Sequence, residues 1–143
     1  MSLVSNFPFT EVVDNTIEPW RKLGSGWFDD LILEFPGWEK PILRFCENMQ
    51  NYLDNHKGAE FSILQVKEKF GFIRFYAVTG LDIYDDVGGM IHELEQESGK
   101  TCMVCGKMAK TVEINGHIVT LCEPCSETIS EEVKNRMKNL NLN

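Results

Sequence analysis

The chain has 143 residues, of which 43% are hydrophobic and 25% charged, as is typical of soluble globular proteins. This composition excludes collagen, a coiled-coil rod and an intrinsically disordered chain. The formal net charge of −8 disfavours non-specific nucleic-acid binding, which depends on clustered cations that release counterions from the phosphate backbone. Solubility is the simplest interpretation of this charge, and attraction to a basic partner is the alternative.

The longest apolar runs are a few residues long, far short of the ~20 residues that a membrane span requires. The N-terminal residues also lack a basic stretch followed by an apolar one, as a secretory signal would have. We therefore expect a soluble, cytoplasmic protein that does not contact the membrane.

The first 35 residues show the weakest pattern. Apolar residues at i, i+4 and i+7 predict a short helix that begins near Thr10 and ends before Gly24. A second short helix is predicted over 27–35, because Pro36 and Gly37 follow it.

A stronger helical pattern covers residues 38–55. The apolar positions that define its buried face are Ile42, Phe45, Cys46, Met49 and Leu53. Because Cys46 lies on this face, we interpret it as a buried core thiol.

Alternating and aromatic-rich segments at 61–66 and 72–78 predict a β-hairpin whose turn spans 67–71. A helix over 83–98 follows, with Asp82 as its N-cap and an acidic outer face. Gly88 and Gly89 lie in the middle of this helix, where each glycine costs about 1 kcal/mol relative to alanine. Close packing against a strand is the favoured explanation, and contact with a partner's backbone is the alternative.

The four C-terminal cysteines form two pairs, each with two residues between its members. Sixteen residues separate the pairs, a spacing that predicts a tetrahedral four-thiolate zinc site. The predicted ligands are Cys102, Cys105, Cys122 and Cys125. Iron in the same site or a redox dithiol is the alternative, and His117 in place of one cysteine is a weaker one.

Between the cysteine pairs, Asn115 and Gly116 join two alternating segments, which predicts a hairpin with a type I′ turn. A polar helix is predicted from Ser126 to about Leu140. The hairpin, the two Cys-x-x-Cys turns and this helix are typical of a treble-clef-like or ribbon-like zinc module.

Residues 65–76 read QVKEKFGFIRFY. This stretch resembles the QVKEKFGxLRFY motif of a family of small uncharacterised bacterial and phage proteins. In that family the motif is followed by an acidic helix, a CxxCG turn and a TLCxxC turn, which match residues 98–106 and 120–125 here. The resemblance covers roughly residues 37–126 and departs at Phe72, where the family usually has a second glycine. It implies a hairpin joined to a zinc module, and it implies no activity.

The hairpin also carries the candidate binding residues. Three cations lie within eight residues of the hairpin. If they share one sheet face with two polar neighbours, that face would bind a phosphate, a carboxylate or an acidic partner. The candidates are Gln65, Lys67, Lys69, Arg74 and Tyr76. The simpler alternative is that these cations pair with the acidic helix at 82–97 inside the molecule.

The sequence contains no catalytic triad pattern, Walker A motif or Rossmann glycine pattern, and four cysteines would close the coordination sphere of a metal. None of the three histidines, His56, His92 and His117, has a sequence neighbour that suggests acid–base catalysis. We therefore expect a binding protein, with a metal-dependent or anion-processing enzyme centred on the first hairpin as the weaker alternative.

The sequence as a whole predicts an α+β fold in which helices pack on a small antiparallel sheet. We expect an α+β region at 1–99 and a zinc module at 100–143, joined in one compact unit. The favoured function is binding to another protein, as a phage accessory or immunity-type protein would do. Nucleic-acid binding through the basic hairpin and nearby Lys100, Lys107 and Lys110 is the alternative.

Overall fold

The computed structural model describes residues 6–10 and 26–139, so the helix predicted after Thr10 lies outside the described residues. The described chain has the predicted α+β fold, with four α-helices and two separate two-stranded antiparallel sheets. The helices are α1 (Trp27–Glu34), α2 (Glu39–Asp54), α3 (Tyr84–Ser98) and α4 (Glu123–Asn139). The strands are β1 (Phe61–Lys69), β2 (Phe72–Thr79), β3 (Lys110–Ile114) and β4 (His117–Leu121). Short 3-10 turns occupy Pro8–Thr10 and Pro36–Trp38.

Helix α2 supplies one side of the core, as its periodicity predicts. Ile42, Cys46 and Met49 are fully buried, and Phe45 is 5% exposed. The Phe45 ring lies 5.3 Å from that of Phe75 on β2, a distance at which aromatic rings attract each other. Helix α2 therefore packs on the inner face of the first sheet.

A bulge at Leu64 determines which side chains of β1 face that core. The pairing shifts between Ile63 and Gln65, so Ile63 and Val66 are both buried while Gln65 is exposed. The predicted turn at 67–71 is too long. Residues 67–69 belong to β1, and only Phe70 and Gly71 connect the strands.

Helix α3 covers the edge of β2 that does not pair with β1. The Ile73 N–H donates to Ser98 Oγ at 2.8 Å, and the Phe75 N–H donates to the Glu95 carboxylate at 2.9 Å. Side chains of a helix thus satisfy backbone donors that would otherwise form an open sheet edge.

Two predictions about α3 are wrong. The helix begins at Tyr84 with Ile83 at the N-cap position and no side-chain capping bond, so Asp82 is not the cap. No atom lies within 4 Å of a Cβ built on Gly88 or Gly89. The glycine pair is therefore exposed and does not serve close packing.

The second hairpin has the predicted type I′ turn, because Asn115 and Gly116 have φ angles of 51° and 84°. Helix α4 begins at Glu123, earlier than expected, which places Cys125 in its first turn. No helix among the described residues is both long enough and apolar enough to cross a bilayer.

Backbone and side-chain contacts join the cysteine-rich segment to the rest of the protein. The buried Trp38 indole N–H donates to the carbonyl oxygens of Ser98 and Thr101, both at 3.1 Å. The buried Thr120 hydroxyl donates to the carbonyl oxygen of Gly71 at 2.6 Å. Through this last bond, β4 holds the turn of the first hairpin in place.

Candidate functional site

The two Cys-x-x-Cys turns bring their four thiols into one cluster. The Sγ atoms of Cys102, Cys105, Cys122 and Cys125 all lie within 4.8 Å of one another, and those of Cys105 and Cys122 are 3.5 Å apart. A tetrahedral zinc ion with Zn–S bonds of about 2.3 Å would separate its sulfurs by about 3.8 Å. All four cysteines are free thiols. The cluster therefore has the size and donor set of a four-thiolate metal site.

The first turn of the cluster is shaped by short backbone hydrogen bonds. The Cys102 N–H donates to Lys107 O at 2.7 Å, and the Gly106 N–H donates to Cys102 O at 3.0 Å. Gly106 has a φ of 81°, which an L-residue rarely adopts. The Met103 N–H donates to Thr120 O at 3.0 Å, and this bond fixes the turn against β4 beside Cys122.

Peptide N–H groups in the cluster favour one thiolate. Burial of the Cys102 thiol opposes its ionisation, but hydrogen bonds from the N–H groups of Cys105, Cys122 and Val104 lower its pKa to about 6. The hydrogen bond with Cys122 raises the pKa of Cys125 to about 12. Without a metal, the cluster thus combines a readily formed thiolate at Cys102 with a thiol at Cys125 that retains its proton. A bound cation would displace those protons.

Four sulfurs complete a tetrahedral coordination sphere, and closed sites of this kind are structural. Within the described residues, the group of ligand atoms contains these four cysteines and no histidine. His117 is exposed at the start of β4, and His56 stacks on Tyr52 with ring centroids 4.0 Å apart. The described histidines therefore lie outside the cysteine cluster.

The predicted binding residues share the outer face of the first hairpin, which we call the basic face and define by Gln65, Lys67, Lys69, Arg74 and Tyr76. Gln65 pairs directly with Tyr76 across the strands, and Lys67 pairs directly with Arg74. Lys69 follows Lys67 by two residues on the same side of β1. The hairpin thus brings all five candidates together.

Each cation of the basic face lies over an aromatic ring. The distances to the ring centroids are 5.9 Å from Lys67 Nζ to Tyr76, 5.6 Å from Lys69 Nζ to Phe70, and 5.7 Å from Arg74 Cζ to Phe72. Such cation–π contacts hold the cationic side chains near the sheet surface.

These cations form no ion pair with residues 6–10 or 26–139, so the alternative that they pair with the acidic helix is wrong. Glu95 of α3 accepts the Phe75 N–H, and Glu97 forms an ion pair with Arg44 of α2 at 2.5 Å. These two carboxylates of α3 are thus engaged with other partners.

Phe70, at the end of the first hairpin, was not among the predicted site residues. It has a φ of 53°, in the left-handed region that costs an L-residue about 1–2 kcal/mol, and its side chain is 59% exposed. Gly71, which follows Phe70, donates its N–H to the Glu68 carboxylate at 2.9 Å. The carbonyl oxygen of Gly71 accepts a hydrogen bond from the Thr120 hydroxyl. These bonds fix the turn that presents Phe70.

A cleft of about 380 Å³ lies beside Phe70, between the ends of the two hairpins. Phe35, Met103 and Ile118 contribute apolar side chains to its lining. The sequence signal for this site was the dipeptide Phe70-Gly71. It occupies the turn position that Asn115-Gly116 occupies in the second hairpin. The bulge at Leu64 interrupts the alternating pattern of β1, so the sequence alone did not give the strand pairing.

Comparison with models of protein families, with curated proteins and with solved structures gave no match to this chain.

Proposed function

We propose that this protein is a zinc-stabilised binding protein that acts through contact with another protein. The observation that carries the proposal is Phe70, an aromatic residue that is exposed and held in a strained backbone conformation beside a cleft with both apolar and polar lining residues. Strained backbone persists where the surrounding structure enforces it, and such positions are common at binding sites. Exposed aromatic and arginine side chains are also enriched among residues that dominate protein–protein affinity.

We assign zinc to the cysteine cluster because thiolate donors select soft or borderline cations over magnesium or calcium. The cluster is closed, so the metal would stabilise the fold and leave no coordination position for a substrate. Iron is the alternative occupant of four thiolates. Metal analysis of the protein as purified distinguishes the two, since a four-thiolate iron site absorbs visible light and a zinc site does not.

The test of the binding proposal is affinity capture of the tagged protein from an extract of its own cells, with and without nuclease. The informative variant is Phe70→Asn, because asparagine tolerates a positive φ and removes only the exposed ring. Leu81→Asn, at a residue that is 93% exposed outside the hairpin, is the matched control.

We expect one specific protein to be captured by the wild type and by Leu81→Asn, irrespective of nuclease, and to be lost with Phe70→Asn. A partner retained equally by both variants would contradict the role of Phe70. Recovery of no protein at all would contradict the proposed function.

Nucleic-acid binding is the second candidate, and the three cations on one sheet face favour it. Two observations oppose it. The net charge is −8, and the cations cover the rings on which unpaired bases would stack. Material captured only in the absence of nuclease, with affinity that falls steeply with salt, would favour this candidate.

The predicted cytoplasmic location and the predicted role as a phage accessory or immunity-type protein belong to the same proposal. Their support is the acidic composition, and the identity of a captured partner would test them.

A further inference from the structure

The basic face contains an unfavourable pairing of like charges. Lys67 and Arg74 are direct cross-strand partners on the outer side of the sheet. Like charges in this position destabilise a sheet, whereas opposite charges stabilise it. Within the described residues no carboxylate pairs with either cation. The protein thus maintains a repulsive pair on the outer face of this hairpin.

Aromatic contacts direct the two cations away from each other. The Lys67 ammonium lies over Tyr76, which is farther from the hairpin turn than the Lys67–Arg74 pair. The Arg74 guanidinium lies over Phe72, which is nearer to the turn than the pair. The two cations therefore lean in opposite directions along the sheet. An anion placed between them would receive donors from both sides and relieve their repulsion.

The spacing of the cations indicates the shape of the matching anion. Lys67 and Lys69 are two residues apart on one strand, which corresponds to about 7 Å along the sheet. Alternate side chains of an extended peptide have the same spacing. Carboxylates at alternate positions of an extended segment would therefore lie opposite successive cations of the basic face.

We propose that the basic face binds an extended segment of a partner protein that carries acidic residues at alternate positions. The carboxylates pair with Lys67, Arg74 and Lys69, while Gln65 and Tyr76 offer neutral hydrogen-bonding groups at the end farther from the turn. This inference rests on the proposed protein-binding function and adds the chemistry of the partner. A short acidic segment is favoured over a nucleic acid because its few carboxylates would meet only the local cations, whereas a long phosphate backbone would also meet the net charge of −8.

The probe for this inference is a fluorescein-labelled decapeptide of alternating Glu and Thr, with a Gln and Thr peptide as its neutral counterpart. Binding to the full-length, zinc-loaded protein is measured by fluorescence polarisation at low salt. Charge-assisted hydrogen bonds contribute about 1.5–3 kcal/mol, so Lys67→Gln and Arg74→Gln should each weaken binding about tenfold or more. Lys134→Gln removes an exposed cation of α4 and should change the affinity less than about twofold.

Amide chemical shifts locate the bound peptide independently of affinity. We expect the glutamate peptide to shift the resonances of residues 65–76 and to leave those of α4 unchanged. Equal affinity for the two peptides, equal loss in Lys134→Gln, or tighter binding of a 15-residue oligothymidylate through the same residues would each overturn the proposal.

The capture experiment distinguishes failure of the acidic-segment inference from failure of the proposed function. Suppose that the Lys67→Gln and Arg74→Gln variants still capture the cellular partner and the Phe70→Asn variant does not. This result would contradict only the acidic-segment inference. A partner that is still captured by all three variants would contradict the acidic-segment inference and the role of Phe70, and only the absence of any captured protein would contradict the protein-binding function itself.

Discussion

Gly37 packs directly against the backbone of Cys102, and this contact leaves no room for a side chain at residue 37. A Cβ built there would overlap the Cys102 carbonyl oxygen and lie 2.7 Å from the Gly106 nitrogen. The Gly37 N–H donates to Met103 O at 2.8 Å, so backbone meets backbone at the edge of the cysteine cluster. The segment before α2 therefore supports the first Cys-x-x-Cys turn.

This contact predicts that Gly37→Ala destabilises the protein by about 3 kcal/mol, because fixed backbone atoms must move to admit the methyl group. Gly88→Ala is the matched change in the exposed part of α3, where a Cβ meets nothing within 4 Å. It should stabilise the protein by about 1 kcal/mol through helix propensity. Urea unfolding measures both, and similar effects of the two changes would contradict this account of Gly37.

Loss of a metal ligand should unfold the C-terminal part of the protein. Because Cys105 is exposed, Cys105→Ser removes a ligand with little loss of packing. We expect zinc content well below one per chain and a loss of about 4 kcal/mol or more, as is usual when a structural metal is removed. Mass-spectrometric metal analysis and thermal unfolding measure the two effects. Cys46→Ala is the control, and it should weaken packing while retaining one zinc ion.

The buried thiol of Cys46 should make stability fall at high pH. Burial raises the pKa of Cys46 from 9.0 to about 12, with smaller contributions from Asp29 and Glu47. Above pH 9 the unfolded chain therefore loses this proton while the folded protein keeps it, which favours unfolding as pH rises toward 12. Between pH 9 and 10 the wild type should lose about 1 kcal/mol more than Cys46→Ala. Parallel unfolding curves for the two proteins would contradict this account.

The repulsive pair on the basic face predicts a variant that is more stable and does not bind. Lys67→Glu places opposite charges across the strands and should stabilise the hairpin by about 1 kcal/mol. The same change removes one binding cation, so affinity for the acidic probe peptide should fall below detection. Thermal unfolding and polarisation measure these effects. A loss of stability would show that Lys67 has a structural role in the hairpin.

The left-handed Phe70 predicts a similar separation of stability from binding. Phe70→Asn produces Asn-Gly, the dipeptide that type I′ turns prefer, and should stabilise the protein by about 1 kcal/mol. The second hairpin provides the internal precedent at Asn115. Urea unfolding checks the gain, and a destabilised variant would indicate that the exposed ring packs favourably in the free protein.

The sequence by itself determined the elements whose signals are local. The spacing of Ile42, Phe45 and Met49 located α2, because helical periodicity alone identifies a buried face. Asn115-Gly116 predicted the turn of the second hairpin, because few dipeptides adopt two positive φ angles. The spacing of the four cysteines predicted the cluster, because two-residue gaps bring paired sulfurs to one point.

Tertiary structure decided the features that depend on contacts between distant segments. The bulge at Leu64 has no sequence signal of its own, yet it determines that Val66 is buried and Gln65 exposed. The hydrogen bond from Thr120 to Gly71 joins residues 49 positions apart and fixes the turn that presents Phe70. Whether Lys67 and Arg74 pair with acids or oppose each other also depended on the positions of other elements, because electrostatic contacts follow distance in space rather than distance along the chain.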